Sequence, residues 1–231
     1  MNEPFLAQHA QAAELWLIRH GDAIPGPEEI IPSGVYDNLP LSTKGRKQVQ
    51  LLAERLQAIA FDAAYSSPLR RCQETAAPTI ELQHLPITIV EDVKEIYLAD
   101  AVPVEHDGGS GDLVALSKAL TDRQIEIVRT VSNSGSWDSL RTSEPSKAFR
   151  LRVVTAIDEI ARQHIGDRVL IFAHGGVINA YVAEVLGLEK EFFFPCANTS
   201  ITTIRVRDTT RVLYTLNDIG HLALFNVSER A

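Results

Sequence analysis

Short runs of apolar residues alternate along the chain with longer segments whose apolar residues recur at helical spacing. The runs at 15–18 and 169–173 lack polar alternation, which is typical of strands covered on both faces. Further strands are predicted at 61–65, 87–90, 200–206 and 211–216. After a helix N-cap at Ser42 or Thr43, one helical face is predicted to contain Val49, Leu52, Ala53, Leu56 and Ile59. Other helices are predicted at about 68–82, 113–131, 145–164 and 177–186.

This alternation predicts an α/β fold of three α/β/α layers around a largely parallel central sheet. No Pro/Gly/Ser-rich linker divides the chain, so we expect a single domain over residues 1–231. Residues 97–146 are less regular, with a glycine-rich stretch followed by a helical and then a serine-rich one. We interpret them as an insertion that lies over the carboxyl edge of the sheet and covers a site there.

Two of the predicted buried strands end in histidine and glycine. Arg19, His20 and Gly21 follow the first, and His174 and Gly175 follow the strand at 169–173. Ligands of open α/β sheets bind outside the carboxyl ends of the strands, where residues distant in sequence meet. We therefore expect one site that combines a cation with two imidazoles.

Charge and composition narrow the possible partners. The net charge of −8 argues against a general nucleic-acid binder, so an anionic substrate must be attracted by a local arginine cluster. No signal peptide is evident near the start, and no apolar stretch approaches the length of a membrane span. Cys72 and Cys196 are far apart, which favours two reduced thiols in a cytoplasmic protein.

A third motif, Ser66-Ser67-Pro68-Leu69-Arg70-Arg71-Cys72-Gln73-Glu74-Thr75-Ala76, follows the strand between the two histidines. With Arg19-His20-Gly21, His174-Gly175 and the segment 197–202, its order and spacing resemble the histidine phosphatase superfamily, which includes phosphoglycerate mutase. The resemblance covers nearly the whole chain. It implies a phosphoglycerate mutase-like fold and phosphoryl transfer.

Carried over by motif, the resemblance makes His20 the nucleophile that takes the phosphoryl group on its imidazole. It implies that Arg19, Arg71 and His174 form the phosphate pocket, with guanidinium groups gripping the phosphate oxygens. Arg70 lies one position off the motif and is interpreted as a solvated helix residue.

The family's leucine-x-glutamate position matches Glu95, which we assign as general acid toward the leaving group and then as base toward water. Other acids are near enough in sequence to compete for this role: Glu91, Asp92, Glu105 and Asp107.

Several further residues have two readings. Asn198 either lies near the phosphate, as the family's Asn-x-Ser-Ile segment suggests, or simply forms a turn. Gly175 and Gly176 are expected to allow the strand-to-helix turn and bring backbone N–H groups near the anion. Trp137 and Arg141 are candidates for substrate contact from the insertion. No motif spacing distinguishes the remaining histidines considered, His84, His106, His164 and His221.

After Arg-His-Gly, the mutases of this family usually continue Glu-x-x-x-Trp-Asn, whereas this chain continues Asp22-Ala23. That start resembles the small bacterial phosphohistidine phosphatases, which lack so long an insertion. We therefore favour a metal-independent phosphomonoesterase of the histidine acid phosphatase type. A phosphoglycerate mutase-type isomerase and a non-catalytic phosphate-binding protein of the same fold are the alternatives.

No cofactor is expected. Adjacent arginines would repel a cation, and no His-Glu-x-x-His spacing occurs, so we predict no metal site. The expected partners are a small-molecule phosphate ester and inorganic phosphate, with no nucleic acid or membrane. An edge strand or an exposed apolar helix could also support a homodimer.

Overall fold

The structure, a computed structural model, describes residues 11–26, 29, 38–98 and 110–223. Its strands are β1 (Ala13–Arg19), β2 (Ala63–Ser66), β3 (Ile87–Ile89), β4 (Arg168–Ala173), β5 (Ile201–Arg207) and β6 (Thr210–Asp218). The helices are α1 (Thr43–Leu56), α2 (Arg70–Gln83), α3 (Ser110–Ser134), α4 (Ser146–Gln163) and α5 (Gly175–Leu186). Short 3₁₀ turns lie at Glu91–Val93, Trp137–Ser139 and Gly220–Leu222.

The six strands form one sheet in the order β3-β2-β4-β1-β5-β6. β1, β2, β3 and β4 pair in parallel, whereas β5 is antiparallel to both β1 and β6. β5 therefore runs opposite to the other five strands, and the prediction of a largely parallel sheet is confirmed.

Helices cover both faces of this sheet. Residues of α4 and α5, among them Phe149 and Tyr181, pack with Leu15 and Leu17 on one face. On the other face, Ile18 packs with residues of α1 and α2. Successive β1 side chains point to opposite faces and both faces are buried, which explains the continuous apolar run. The three-layer α/β/α architecture is confirmed.

The predicted elements are all found, with boundaries shifted by a few residues. Ser42 is the N-cap of α1, and its hydroxyl accepts the backbone N–H of Gly45 at 3.0 Å. The helix predicted at 113–131 is longer, because α3 extends over Ser110–Ser134.

The two ends of the predicted insertion are joined. Leu98 forms an isolated antiparallel bridge with Thr142, and the N–H of Ser143 donates to the carbonyl of Tyr97 at 3.0 Å. This pairing places α3 and the turn Trp137–Ser139 next to the chain segment that follows β3.

Candidate active site

The strand register brings three polar side chains side by side at the carboxyl edge of the sheet. Arg19 pairs with Ala173 across β1 and β4, so His20 and His174 occupy equivalent positions just beyond the two strands. The N–H of His20 donates to Ala173 O, and that of Ser67 to Phe172 O, each at 3.0 Å. The predicted meeting of the two histidines is observed, with their ring centroids 5.2 Å apart.

The hydrogen bonds of His20 define its tautomer. Its Nδ1 lies 2.7 Å from the backbone carbonyl oxygen of Gly21, which can only accept, so Nδ1 carries the proton. Nε2 then bears the lone pair, and the Nε–H of Arg71 donates to it at 3.2 Å. Burial, followed by the positive charges of Arg71 and Arg19, holds the pKa of His20 well below its ordinary value. His20 is therefore a neutral imidazole whose Nε2 is available as a nucleophile.

Arg71 links the two imidazoles. One terminal nitrogen of its guanidinium lies 3.2 Å from Nδ1 of His174, while its Nε contacts His20. Burial lowers the pKa of Arg71 from its ordinary value. Arg70, by contrast, is exposed and pairs with Glu74 at 2.6 Å, as expected for a solvated helix residue. The first turn of α2 thus directs one of two adjacent arginines into the site.

His174 is fully buried and is not among the residues that border the cavity. Because Arg71 can only donate to its Nδ1, the proton of the neutral ring is on Nε2, which donates to Ser67 Oγ at 2.8 Å. Burial and then the charge of Arg71 keep the pKa of His174 well below its ordinary value. Cys72 packs behind this ring, with Sγ 3.4 Å from Nε2. Its thiol donates to Ala173 O, and burial raises its pKa to about 12.

Arg19 ends β1 and lies across the start of α5. One terminal nitrogen donates to the carbonyl of Cys196, while its buried Nε has no hydrogen-bond partner among the described residues. A buried guanidinium N–H without a partner is costly, and an anion is the partner that it fits best. Arg19 and Arg71 thus supply two guanidinium groups at the same strand edge.

Glu95 reaches the site from the segment that follows β3. Its Oε2 accepts the N–H of Gly176 at 2.9 Å, and its Oε1 accepts the N–H of Ile96 at 3.1 Å. Burial raises the pKa of this carboxyl, although the two backbone hydrogen bonds act in the opposite direction. The side chain borders the same cavity as His20, so a carboxylic acid and a neutral imidazole face one space.

Gly176 has a different role from the one predicted. Its N–H donates to Glu95 and not toward a free anion site. A Cβ at this position would lie 2.3 Å from Glu95 Oε1 and 2.8 Å from Cζ2 of Trp137. The start of α5 therefore needs a residue without a side chain to let the carboxylate and the indole approach so closely. Gly175, one residue earlier, borders the cavity.

The turn before β5 holds the end of β1. The side-chain amide of Asn198 donates to the carbonyl of His20 at 3.1 Å, and the N–H of Thr199 donates to Arg19 O at 3.1 Å. Thr199 has φ of 54°, an unfavourable conformation for a β-branched residue. Asn198 forms the turn and also borders the cavity.

A cavity of about 740 Å³ opens above these groups. Arg19, His20, Arg71 and Glu95 lie along its wall. From the predicted insertion, the residues that face it are Tyr97, Leu98, Leu120, Arg123, Gln124, Ile127, Val128 and Trp137. Insertion residues therefore form part of the wall of the space next to the two arginines and the His20 imidazole.

The remaining candidate residues differ in whether they border the cavity. Trp137 borders the cavity, whereas Arg141 is exposed and is not among its wall residues. Glu91 and Asp92 are exposed on a 3₁₀ turn, and Glu105, Asp107 and His106 lie outside the described residues. The other three histidines do not border the cavity: His84 is exposed, His164 bonds to Tyr65 and Asp167, and His221 bonds to Thr199.

Sequence reasoning missed three contributors to the site. Ser67 orients His174 through a hydrogen bond. Ser67 directly follows β2, so the expectation that residues beyond the carboxyl ends of strands meet at one site applies to it as it does to the two histidines. Thr75 accepts the N–H of Gly21 at 2.9 Å, and Arg123 borders the cavity from α3. Thr75 and Arg123 depend on packing between helices and the strand ends, which no local pattern indicates.

Neither a metal-binding group nor a membrane-spanning helix is found in the described residues. Within residues 11–26, 29, 38–98 and 110–223, no three His, Cys, Asp or Glu side chains come together as a metal-binding group. In the same part of the chain, no helix is both long and apolar enough to cross a membrane.

Comparison with known proteins gives consistent matches. Residues 15–219 match the family model described as the histidine phosphatase superfamily, branch 1. The chain is 29% identical to phosphoserine phosphatase 1 of Hydrogenobacter thermophilus, over 93% of this chain and 96% of that protein. It is 26% identical to the adenosylcobalamin/alpha-ribazole phosphatase of Escherichia coli, over 77% and 81% respectively.

Among solved structures, the fold is similar to that of a phosphoserine phosphatase from Entamoeba histolytica in complex with 3-phosphoglyceric acid. The TM-score is 0.66 at 22% identity, and the match covers 91% of this chain and 99% of that one.

Proposed function

Because the chain belongs to branch 1 of the histidine phosphatase superfamily, we propose that it is a metal-independent phosphomonoesterase that works through a phosphohistidine on His20. It is of the histidine acid phosphatase type, in that a neutral imidazole attacks phosphorus and a carboxylic acid protonates the leaving group. The observation that carries this proposal is the guanidinium of Arg71, held between His20 Nε2 and His174 Nδ1, 3.2 Å from each. This arrangement places positive charge beside a nucleophilic nitrogen that is kept unprotonated.

In the first step, Nε2 of His20 attacks phosphorus and the bond to the ester oxygen breaks. The Nδ1–H hydrogen bond to Gly21 O stabilises the positive charge that the ring acquires as the N–P bond forms. Arg71 shifts its N–H donors from the two imidazoles to the phosphoryl oxygens. Arg19 binds the same oxygens through its unpaired Nε.

The leaving alkoxide needs a proton, which Glu95 supplies in its protonated form. Glu95, now a carboxylate, then accepts a proton from water as that water attacks the phosphohistidine. The products are the alcohol and inorganic phosphate, and Glu95 and His20 return to their starting states. The raised pKa of Glu95 supports this assignment, since it extends the protonated form to higher pH.

His174 stays neutral and positions Arg71 beside the phosphate, because its Nδ1 accepts from Arg71 while its Nε2–H donates to Ser67. Asn198 supports the turn that positions the His20 backbone, and Gly175 borders the cavity next to Arg19. The substrate is a small-molecule phosphate ester. Phosphoserine is the first compound to test, because it gives its name to the relative that is 29% identical over 219 residues.

The proposal is tested by phosphate release from p-nitrophenyl phosphate, phosphoserine, 3-phosphoglycerate, sugar phosphates and nucleotides. EDTA is present in one arm, and His20→Ala is the control. Phosphate release that is lost in the variant and unchanged by EDTA is the expected result. Conversion of 3-phosphoglycerate to its isomer without phosphate release would instead identify the mutase, and loss of activity that a divalent ion restores would overturn metal independence.

A further inference from the structure

The cavity has the opposite charge balance to the whole chain. The chain carries a net charge of −8, yet among the residues that the structure describes, Arg19, Arg71, Lys94 and Arg123 border the cavity against only two acids, Asp22 and Glu95. Arg19 and Arg71 are sufficient to bind one phosphoryl group. The other two cations leave positive charge that the phosphate does not explain.

Arg123 and Gln124 interrupt a helix face that is otherwise apolar. Leu120, Arg123, Gln124, Ile127 and Val128 border the cavity at the i, i+3, i+4, i+7 and i+8 positions of α3, which lie on one side of a helix. Leu116 and Val131 at the two ends of this stripe are buried, at 1% and 0% exposure. An inward-facing stripe of this kind ordinarily carries apolar residues throughout, so an arginine at its centre needs a reason.

Within the described part of the chain, no group pairs with the guanidinium of Arg123. Its guanidinium makes no hydrogen bond or ion pair with a described residue, although the side chain is half-buried. Arginines on other helices are paired: Arg150 with Glu184 at 3.0 Å and Arg152 with Glu144 at 2.6 Å. A guanidinium taken partly out of water is stabilised by an anion with planar oxygen geometry, and a carboxylate matches its two parallel donors.

We propose that Arg123 binds a carboxylate of the substrate, so that the preferred substrates are phosphomonoesters that carry a carboxylate on the alcohol portion. This inference rests on the proposed phosphatase function and narrows its substrate class. Leu120, Ile127 and Trp137 border the same cavity, where their apolar side chains would contact the carbon skeleton. Arg123 is thereby a specificity residue, remote from the bond that breaks.

The test compares esters that differ only in the carboxylate. Phosphoserine is paired with phosphoethanolamine, 3-phosphoglycerate with glycerol 3-phosphate, and phosphotyrosine with phosphotyramine. Binding of each is measured by calorimetry to the His20→Ala protein, alone or combined with Arg123→Gln, Arg123→Lys or Arg129→Gln. Arg129 is the matched control, because it is an exposed arginine of the same helix that does not border the cavity.

For at least one pair, the carboxylate is expected to improve the dissociation constant by about tenfold or more, as for a charge-assisted hydrogen-bonded pair. Arg123→Gln removes this preference, Arg123→Lys retains part of it, and Arg129→Gln leaves it unchanged. Equal ratios with and without Arg123→Gln for all three pairs overturn the inference.

Binding to the His20→Ala protein does not depend on turnover. The phosphatase proposal is judged separately, by hydrolysis of p-nitrophenyl phosphate by the chain with His20 intact. A chain that hydrolyses this ester but shows no carboxylate preference refutes the role of Arg123 alone. A chain that binds carboxylate esters through Arg123 but hydrolyses none refutes the phosphatase alone.

Discussion

Nδ1 of His20 lies 2.7 Å from the carbonyl oxygen of Gly21, the next residue in the chain. This contact assigns the ring proton to Nδ1 and leaves on Nε2 the lone pair that the proposed attack on phosphorus requires. The carbonyl is itself held in place, because the N–H of Gly21 donates to Thr75 at 2.9 Å and Thr75 donates to Arg71 O at 2.6 Å. The orientation of the nucleophile and the position of the charged group beside it are therefore connected through α2.

Replacing His20 by Asn is expected to abolish the phosphorylated protein. Asn keeps a polar side chain but has no imidazole to accept phosphorus, so the covalent intermediate cannot form. The measurement is rapid-quench trapping of labelled phosphoprotein that is stable to alkali and labile to acid. His84→Asn is the control, since His84 is exposed and has φ of 54°, a conformation that Asn adopts readily. Labelled protein in the His20 variant would exclude His20 as the nucleophile.

Glu95→Gln is expected to slow hydrolysis of alkyl phosphates by about 10²–10⁴-fold and that of p-nitrophenyl phosphate far less. The nitrophenolate leaves without protonation, whereas an alkoxide requires the acid. The measurement is kcat/KM for both leaving groups, which reports the steps up to release of the alcohol and so leaves out the later role of Glu95 as base; Glu91→Gln on the exposed 3₁₀ turn is the control. Equal losses for both leaving groups would show that Glu95 is not the acid.

The pH dependence of phosphatase activity is expected to distinguish the ionisation of His20 from that of Glu95. The pKa of His20 is lowered, so the neutral nucleophile is retained as pH falls below 6.5, its ordinary value. The pKa of Glu95 is raised, so the protonated acid is retained above pH 4.5 and is lost as pH rises through the shifted value. With alkyl phosphates, activity should therefore fall on the alkaline side of this value, and Glu95→Gln should remove that limb. An alkaline limb that persists in the variant would assign it to another group.

Gly176→Ala is expected to impair the acid more than the nucleophile. The new Cβ would lie 2.3 Å from Glu95 Oε1, so the carboxylate must move away from the N–H that now holds it. Gly175→Ala is the neighbouring comparison, because its Cβ would lie 3.6 Å from Arg19 and from Cys196, an ordinary contact distance. The Gly176 variant should lose more alkyl phosphatase activity than p-nitrophenyl phosphatase activity, and the loss should exceed that in the Gly175 variant. The reverse order would contradict the packing argument.

How much of the site is visible in the sequence depends on how each residue is positioned. His20 and His174 directly follow apolar runs. Because residues beyond the carboxyl ends of parallel strands meet at one sheet edge, the sequence alone predicts that the two histidines lie together, and the register of β1 with β4 confirms this. In the sequence, only the family resemblance distinguishes Glu95 from several nearby acids. What distinguishes it in the structure is burial and the hydrogen bond from Gly176, neither of which has a local signature.

Arg123 in the cavity wall, unlike the two histidines, cannot be assigned to the site from the sequence. The helix that carries Arg123 was predicted from its periodicity, but a periodic pattern does not say what its inward face meets. That face meets the space beside His20 only because the ends of the insertion are joined at Leu98 and Thr142. Specificity residues of this kind depend on tertiary placement, whereas strand-end residues depend on the sheet alone.

Glu14 offers a test of stability that is separate from catalysis. It lies in β1 near the end of the strand opposite to His20 and is 5% exposed. Its carboxylate pairs with Arg168 and with Arg205, each at 2.7 Å. Burial acts to raise the pKa of Glu14, but hydrogen bonds from Arg168, Trp16 and Arg205 together outweigh it and lower the pKa to about 2.

Because the folded-state pKa is depressed, this carboxylate stabilises the fold fully above pH 4.5, and the contribution is lost as pH falls toward 2. Glu14→Gln leaves both guanidinium groups without their charged partner. At pH 7 it should lower the free energy of unfolding by about 2–3 kcal/mol. Urea denaturation of both proteins between pH 7 and pH 3 should show this difference shrinking with acidity, while the exposed Glu54→Gln shows none. Since the site lies at the other end of β1, kcat per folded molecule should be unchanged. A difference in stability that stays constant down to pH 3 would mean that the ion pairs do not set it.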